Sequence, residues 1–195
     1  MNNKINIKDL ITIGVFAAIY LTLYFFIIFL VVIPVLVLTS PAVAALITGI
    51  PFMLFLSKTE KFGMVTIMGT ILGFIMFVTG HGWPVFIMGM MCGVLSDLIF
   101  KSGSYKNWKS LLVGYCVFSS WTIGAILNMW LLGETYVRQH LGESFGSSGV
   151  DSLVSLISNY WTLVLVAIFL VIGAVAGAYL GKAALKKHFK RAGIV

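Results

Sequence analysis

Six long runs of uncharged, mostly apolar residues constrain this chain more than any other feature of its sequence. An α-helix needs about 20 such residues to cross the hydrocarbon core of a bilayer. Only 10% of the 195 residues are charged, whereas a soluble domain carries roughly 25% because its surface must be solvated. We therefore predict an all-α integral membrane protein, with residues 1–195 forming one domain, a bundle of six transmembrane helices.

Proline, glycine and charged residues separate the six runs and give the predicted helix bounds. The predicted helices span residues 10–32, 41–57, 62–78, 84–100, 110–132 and 159–181. The long polar connection 133–158, which contains the flexible run 146–149, is predicted to be an extracellular lid segment, and residues 182–195 a basic tail. The apolar run after the polar start is too long for the core of a signal peptide, so we interpret it as the first membrane helix.

Lysine and arginine lie almost entirely on one side of the six predicted spans. Of the 13 basic residues, only Arg138 lies on the side opposite the termini. Cytoplasmic segments of membrane proteins carry the basic excess, so the N- and C-termini are predicted to be cytoplasmic. This distribution accounts for the net charge of +7 without nucleic acid, because the basic tail is expected to contact anionic lipid headgroups.

Motifs of enzymes and of ion pumps are missing from the sequence. It contains neither a phosphate-binding loop ending in Gly-Lys-Ser/Thr nor a His-Glu-x-x-His zinc helix. The predicted spans hold one acidic residue, Asp97, and we interpret it as an i,i+4 pair with Lys101 that ends the fourth helix. A proton relay would need several acidic or histidine groups near the bilayer centre. We predict no catalytic residue, no cofactor and no metal of the protein's own.

The remaining polar and aromatic side chains collect on the side opposite the termini. A short turn there, Thr79-Gly80-His81-Gly82-Trp83-Pro84, has the glycines and proline that favour a tight bend. We predict substrate contacts from this turn, from the end of helix five and from the lid: Gly80, His81, Gly82, Trp83, Asn128, Trp130, Tyr136, Arg138 and His140. For Tyr160 and Trp161 we favour an aromatic belt at the headgroup plane.

Small residues recur at four-residue spacing, which lets helix backbones approach closely in lipid. We interpret most of these pairs as internal packing: Gly69 and Gly73, Gly89 and Gly93, and Gly173, Gly177 and Gly181. Gly14, Ala17 and Ala18 in helix one instead offer a flat patch for a partner subunit.

Three segments resemble the substrate-binding (S) component of energy-coupling factor transporters, specifically the small integral membrane family typified by streptococcal and treponemal members. They are Lys8-Asp9-Leu10-Ile11-Thr12-Ile13-Gly14, Lys61-Phe62-Gly63 and Thr79-Gly80-His81-Gly82-Trp83. The resemblance covers nearly the whole chain. It implies a multi-pass protein of the bacterial plasma membrane that captures a micronutrient at the outer face.

The resemblance also implies partners and roles for named residues. The protein would have no ATPase of its own and would work with a transmembrane coupling subunit and two cytoplasmic ATPases. Gly14 and Ala18 would contact the coupling subunit, with Gly14 in place of the family's usual alanine. His81 and Trp83 would line an outer cavity, and residues 133–158 would form part of its lid.

Two ligand classes and two other functions stay open. Haem is the first prediction, with His81 as an axial ligand, Trp83 stacking on the ring and Arg138 pairing with a propionate. A pyridoxine- or pyrimidine-like B-vitamin or precursor would use His81 as a hydrogen-bond partner. A stand-alone secondary transporter or channel is disfavoured by spans without a relay, and a ligand-free membrane scaffold gives the His81 turn no role.

Overall fold

The computed structural model describes residues 5–30, 33–59 and 61–191, and within those ranges the chain forms helices and no strand. The helices are α1 (Ile7–Leu30), α2 (Ser40–Leu56), α3 (Met64–Met76), α4 (Trp83–Ser102), α5 (Trp108–Ser119), α6 (Ile123–Ile126), α7 (Asn128–Ile157) and α8 (Tyr160–Arg191). Six helical stretches are long and apolar enough to cross a membrane. The predicted all-α, six-helix fold class is confirmed.

Short helical turns connect several of these elements. A 3-10 segment, Pro34–Thr39, leads into α2, and a π-helical turn, Phe77–His81, follows α3. A 3-10 turn, Ser120–Thr122, joins α5 to α6. The fifth span therefore starts at Trp108 and continues through α5 and α6 into the beginning of α7.

The predicted lid segment is helical, whereas the sequence indicated an irregular polar connection with a flexible run at 146–149. Gly133 (φ 66°, ψ −152°) and Gly146 (φ 66°, ψ 178°) divide α7 into the helical pieces 128–132, 134–145 and 147–157. Residues 134–145 are called the lid helix below. It forms because apolar residues recur at helical spacing, and Val137 at its centre is fully buried. The tail also differs from the prediction, since α8 continues as far as Arg191.

Glycines hold two pairs of helices at backbone contact. A Cβ placed on Gly69 of α3 would lie 2.6 Å from the carbonyl oxygen of Gly89 on α4, and Gly49 of α2 meets Gly177 of α8 in the same way. In lipid the hydrophobic effect does not bring helices together. Van der Waals contact between closely approaching backbones stabilises the helix pair instead. The interpretation of the glycine pairs in α3, α4 and α8 as internal packing is confirmed.

The exterior of the bundle is apolar and its interior holds aromatic rings. The ring centroid of Phe52 lies 4.3 Å from that of Phe118 and 4.9 Å from that of Tyr115. Large apolar side chains cover the outside along the spans, among them Phe74, Leu165 and Ile172. Such a surface suits contact with acyl chains, because lipid removes the cost of exposing apolar groups.

A buried carboxylate secures the end of the bundle where α3 begins. Asp97 of α4 is fully buried, and its Oδ2 accepts hydrogen bonds from the backbone N–H groups of Gly63 (2.7 Å) and Thr66 (3.1 Å) and from the Thr66 hydroxyl (3.0 Å). Its Oδ1 accepts from the Tyr105 hydroxyl at 2.6 Å. These four residues are called the Asp97 network. The carboxylate lies at the N-terminus of α3, where the helix dipole favours negative charge.

The predicted pair between Asp97 and Lys101 is wrong. The Lys101 ammonium lies 5.1 Å from the centroid of the Phe62 ring, and Asp97 is directed at α3 instead. Burial, together with the Asp97 carboxylate, raises the pKa of Tyr105, so its hydroxyl remains a hydrogen-bond donor. Asp97 therefore joins α3 and α4 to the 103–107 turn and does not merely end a helix.

Candidate functional site

A cavity of about 490 Å³ opens at the end of the bundle where α3 finishes, opposite the Asp97 network. This volume is within the range of roughly 300–1,000 Å³ that small-molecule sites occupy. The walls come from α1, the Pro34–Thr39 turn, the first residue of α2, the Phe77–His81 turn, α6, the start of α7 and the lid helix. Among the described lining residues none is Asp, Glu, Lys or Arg, so the cavity carries no fixed charge of its own.

The turn that carries His81 is bent by two glycines. Gly80 adopts φ 96° and ψ 8°, and Gly82 adopts φ 78° and ψ 171°, both of which other residues rarely take. Pro84 then falls in the first turn of α4, where its missing N–H is not needed. The chain thus reverses within two residues, and His81 is held at the rim between α3 and α4.

Neighbouring hydrogen bonds indicate which nitrogen of the neutral His81 ring carries the proton. The Thr79 hydroxyl donates its single proton to the Met76 carbonyl at 2.9 Å. With that proton engaged, the 3.3 Å contact between the Thr79 Oγ1 and the His81 Nδ1 favours the tautomer in which the ring nitrogen is the donor. In the neutral ring, Nε2 then keeps a free lone pair that can accept a hydrogen bond or bind a metal.

Asn128 supports the turn from the start of α7. Its side chain is 3% exposed, and its Nδ2 donates to the His81 carbonyl oxygen at 2.9 Å. Gly82 packs directly against the same amide, so that a Cβ at this position would overlap it. Asn128 and Gly82, both predicted to contact substrate, do not line the cavity. Their geometry is that of residues that position His81.

The lid helix supplies five of the lining residues, and Tyr136 and His140 are among them. The rings of these two residues stack, with centroids 4.2 Å apart and an interplanar angle of 23°. The outer face of the lid helix carries Arg138, which bonds Glu134 at 2.6 Å and, across the bend at Gly146, Asp151 at 2.8 Å. Of these two pairs only the one to Asp151 joins the lid helix to another helical piece, and apolar contacts such as those of Val137 hold its inner face.

Several residues predicted to contact substrate are elsewhere. Trp83 is 59% exposed and lies outside the lining, because it starts α4 on the outer surface. Arg138 already pairs with two carboxylates and faces away from the cavity wall. Trp130 packs in the apolar cluster beneath the lid helix, and its buried Nε1 has no partner among the described residues. The predicted residues that line the cavity are Gly80, His81, Tyr136 and His140.

Ten lining residues were absent from the sequence-based set: Tyr24, Val37, Ser40, Thr79, Ala125, Ile126, Met129, Leu141, Ser144 and Phe145. One group had a usable signal. Within the lid helix, Tyr136, His140 and Ser144 recur every four residues, as one face of a helix does. Tyr24 had no such signal, because a tyrosine in an apolar span is equally compatible with core packing.

Part of the predicted partner patch on α1 is exposed at the surface. Gly14 and Ala18 are exposed, and a Cβ on Gly14 would meet nothing within 4 Å. Ala17 is 2% exposed and faces the core, so it is unavailable to a partner. This follows from helix geometry, because Ala17 lies four residues after Ile13 and three before Tyr20, and all three share the buried face of α1. Tyr160 and Trp161 are both exposed, as a headgroup-level belt would require.

This chain is a multi-pass integral membrane protein. It has six helices long and apolar enough to cross a bilayer, an apolar exterior, and a cavity at one end. A family model described as "Hypothetical bacterial integral membrane protein (Trep_Strep)" matches residues 7–191, and the chain belongs to this family. No curated protein and no solved structure matches it. The predicted location in a bacterial membrane is confirmed, whereas the cytoplasmic placement of the termini stays a prediction.

Proposed function

We propose that this protein is the substrate-capture (S) subunit of an energy-coupling factor importer for a micronutrient. The observation that carries the proposal is the uncharged cavity of about 490 Å³ under the lid helix, which has two histidines among its lining residues. A stand-alone secondary transporter or channel would need a relay of ionisable groups or a polar pore through the membrane. Among the described residues, Asp97 is the one buried carboxylate, and its oxygens are already taken by hydrogen bonds to α3 and Tyr105.

Haem is the first ligand candidate. The lone pair on the His81 Nε2 suits an axial ligand of haem iron, and the Tyr136 ring and the apolar lining suit a flat macrocycle. The contacts proposed for Trp83 and Arg138 are withdrawn, since neither residue lines the cavity. Haem propionates would then extend to the open rim and remain in solvent.

A B-vitamin or vitamin precursor of the pyridoxine or pyrimidine kind is the second candidate. The observation that favours it is the lack of any fixed cation among the described lining residues. A small, uncharged heterocycle would leave no carboxylate without a partner. Its ring hydroxyl or N–H group would donate to the His81 Nε2, and Tyr136 would pack against its face.

The proposed assembly supplies the energy for uptake. The protein itself would be no enzyme, and two cytoplasmic ATPases would act through a transmembrane coupling subunit. The exposed pair Gly14 and Ala18 on α1 is the proposed contact for that subunit, because a surface of small residues allows a partner helix to approach closely. With the termini in the cytoplasm, this patch lies in the inner half of α1 and the cavity opens outward.

A substitution on α1 tests this function. Gly14→Leu should abolish copurification with the coupling subunit and the ATPases and abolish uptake, yet leave ligand binding unchanged. The reason is that the introduced side chain would project into open space on this chain and into the partner helix. Binding is measured on the purified protein in detergent, and assembly by the subunits that copurify from the native membrane.

Val15→Leu is the matched control, since Val15 is exposed on the same helix but lies beside the patch. It should assemble and transport as the unaltered protein does. Equal loss of ligand binding and assembly in Gly14→Leu would contradict the proposed function. Counterflow catalysed by the lone protein in liposomes would point to a secondary transporter, and a protein that binds neither ligand nor ATPases would point to a scaffold.

A further inference from the structure

His140 on the lid helix shares the cavity with His81, and its protonation is equally well determined. Its Nδ1 lies 3.1 Å from the carbonyl oxygen of Tyr136. A carbonyl oxygen can only accept, so this Nδ1 must carry the proton. The neutral ring therefore has its lone pair on Nε2, and the stacking of the ring on Tyr136 holds its plane.

The two imidazoles thus offer the same chemistry from two separate elements, the Phe77–His81 turn and the lid helix. Imidazole nitrogen is a good ligand for iron, copper, nickel and zinc. A bare divalent ion such as zinc, however, normally takes three or four ligands from the protein. Among the described residues no group of three His, Cys, Asp or Glu side chains is placed to hold an ion.

We propose that His140 is a second coordinating residue and that the cavity takes a metal already held in an organic chelate, with the imidazoles of His81 and His140 as its two protein ligands. The chelate would supply the negative charge that the walls lack, and the protein would fill the coordination positions left open. This inference rests on the proposed function, because it takes the cavity as the capture site.

Coordination by His140 would also bring the lid helix onto the ligand. The lid helix lies between Gly133 and Gly146, both at φ 66° with open space around them. Its outer attachment is the exposed bond from Arg138 to Asp151. A bond from the metal to His140 would attach the inner face of the same helix to the ligand. With ligand bound, the lid helix would then be held on its outer face by Asp151 and on its inner face by the metal.

Ferric haem is the probe for this inference, titrated into the full-length protein in detergent. The unaltered protein should give the absorption and electron paramagnetic resonance spectra of six-coordinate, low-spin iron with two nitrogen ligands. His140→Ala should fold normally, because His140 is exposed, and should shift the iron to high spin. The affinity of this variant for haem should fall by at least about tenfold to hundredfold, because loss of a residue that only supports a metal ligand already costs that much. Added imidazole should restore the low-spin spectrum.

Two controls separate coordination from simple packing. Gln139→Ala changes the neighbouring residue, which lies outside the cavity lining, and should alter neither spin state nor affinity. Metal-free protoporphyrin has the shape of haem without the metal and should bind much more weakly. Equal affinity for the two compounds, or a low-spin spectrum that persists in His140→Ala, would overturn the inference.

The failure of this inference is distinguishable from failure of the proposed function. If the unaltered protein binds no haem, the metal-chelate ligand is excluded. Copurification with the ATPases, and its loss in Gly14→Leu, would still decide the S-subunit role independently of the ligand.

Discussion

At the end of the bundle where α3 begins, the Asp97 carboxylate accepts four hydrogen bonds and has no capacity left for a ligand. At the end where α3 finishes, His81 and His140 each use one ring nitrogen for the protein and leave the other uncommitted. Asp97 is fully buried, whereas His81 is half-buried and His140 is exposed at the mouth of the cavity. The two ends differ in whether the protein satisfies these groups by itself.

The difference indicates which end is structural and which is functional. A buried polar group without a partner costs free energy, so proteins normally pair it. Where acceptors face a cavity of about 490 Å³ and stay unpaired, a ligand can supply the missing donors or metal. By this criterion Asp97 is part of the framework, although it is the one acidic residue in the predicted spans.

The largest expected effect comes from removing the carboxylate of the Asp97 network. Asp97→Ala would leave the N–H groups of Gly63 and Thr66 and the Tyr105 hydroxyl without their acceptor. At about 1–3 kcal/mol for each unsatisfied donor, the free energy of unfolding should fall by about 3 kcal/mol or more. Thermal unfolding in detergent measures the loss.

Tyr105→Phe is the matched control, because it removes one donor and leaves the carboxylate bonded to α3. It should cost about 1 kcal/mol. Folded Asp97→Ala protein should bind ligand with unchanged affinity. A selective loss of ligand binding without loss of stability would break the comparison, since it would make Asp97 functional.

A pair of glycine substitutions should have an intermediate effect at the cavity end. Gly82→Ala strains a backbone conformation that is nearly exclusive to glycine, at about 1–3 kcal/mol, and also pushes against the Asn128 amide that holds His81. Gly80→Ala meets open space and carries only the conformational cost, about 1–2 kcal/mol. Ligand affinity, measured by titration, should therefore fall further in Gly82→Ala. The opposite order would show that the Asn128 contact does not position His81.

The smallest effect is expected at the outer face of the lid helix. Arg138→Gln removes the exposed bonds to Glu134 and Asp151, so ligand release should accelerate only about twofold to fivefold. Stopped-flow release measures it, and the effect should vanish at high salt because screening already weakens exposed pairs. Glu143→Gln, a charge change on the same helix outside these pairs, should leave the rate unchanged. A large, salt-independent effect would mean that Arg138 touches the ligand.

The fold was predictable because the bilayer imposes its constraint residue by residue. Long uncharged runs, prolines and charged turns placed the six spans and the main helix bounds. The close helix contacts at glycines were also predictable, since four-residue spacing, as in Gly69 and Gly73 or Gly89 and Gly93, is typical of helices that pack closely in lipid. The lid helix was missed because Gly146 and its serine neighbours suggest flexibility, whereas they only mark a bend between two helical pieces.

The candidate site was predictable only where the chemistry lies in one short segment. The His81 turn stands out because glycines flank a histidine, and the cavity does contain His81. Trp83 and Arg138 were wrongly predicted to line the cavity. Residues next to each other in a helix point in different directions, so proximity in sequence to a lining residue does not place a side chain in the site. The role of Asp97 depends on Gly63 and Thr66, which lie about thirty residues away in the chain.

The bends at Gly133 and Gly146 make the lid helix a separable unit. Between them lie five cavity-lining residues, while the close-packed spans and the Asp97 network lie outside. Changes within residues 134–145 can therefore alter which compound is accepted without disturbing the transmembrane scaffold. Relatives that differ mainly in this stretch would be expected to exchange ligand preference when it is grafted, and the pair of glycines marks where such a graft should begin and end.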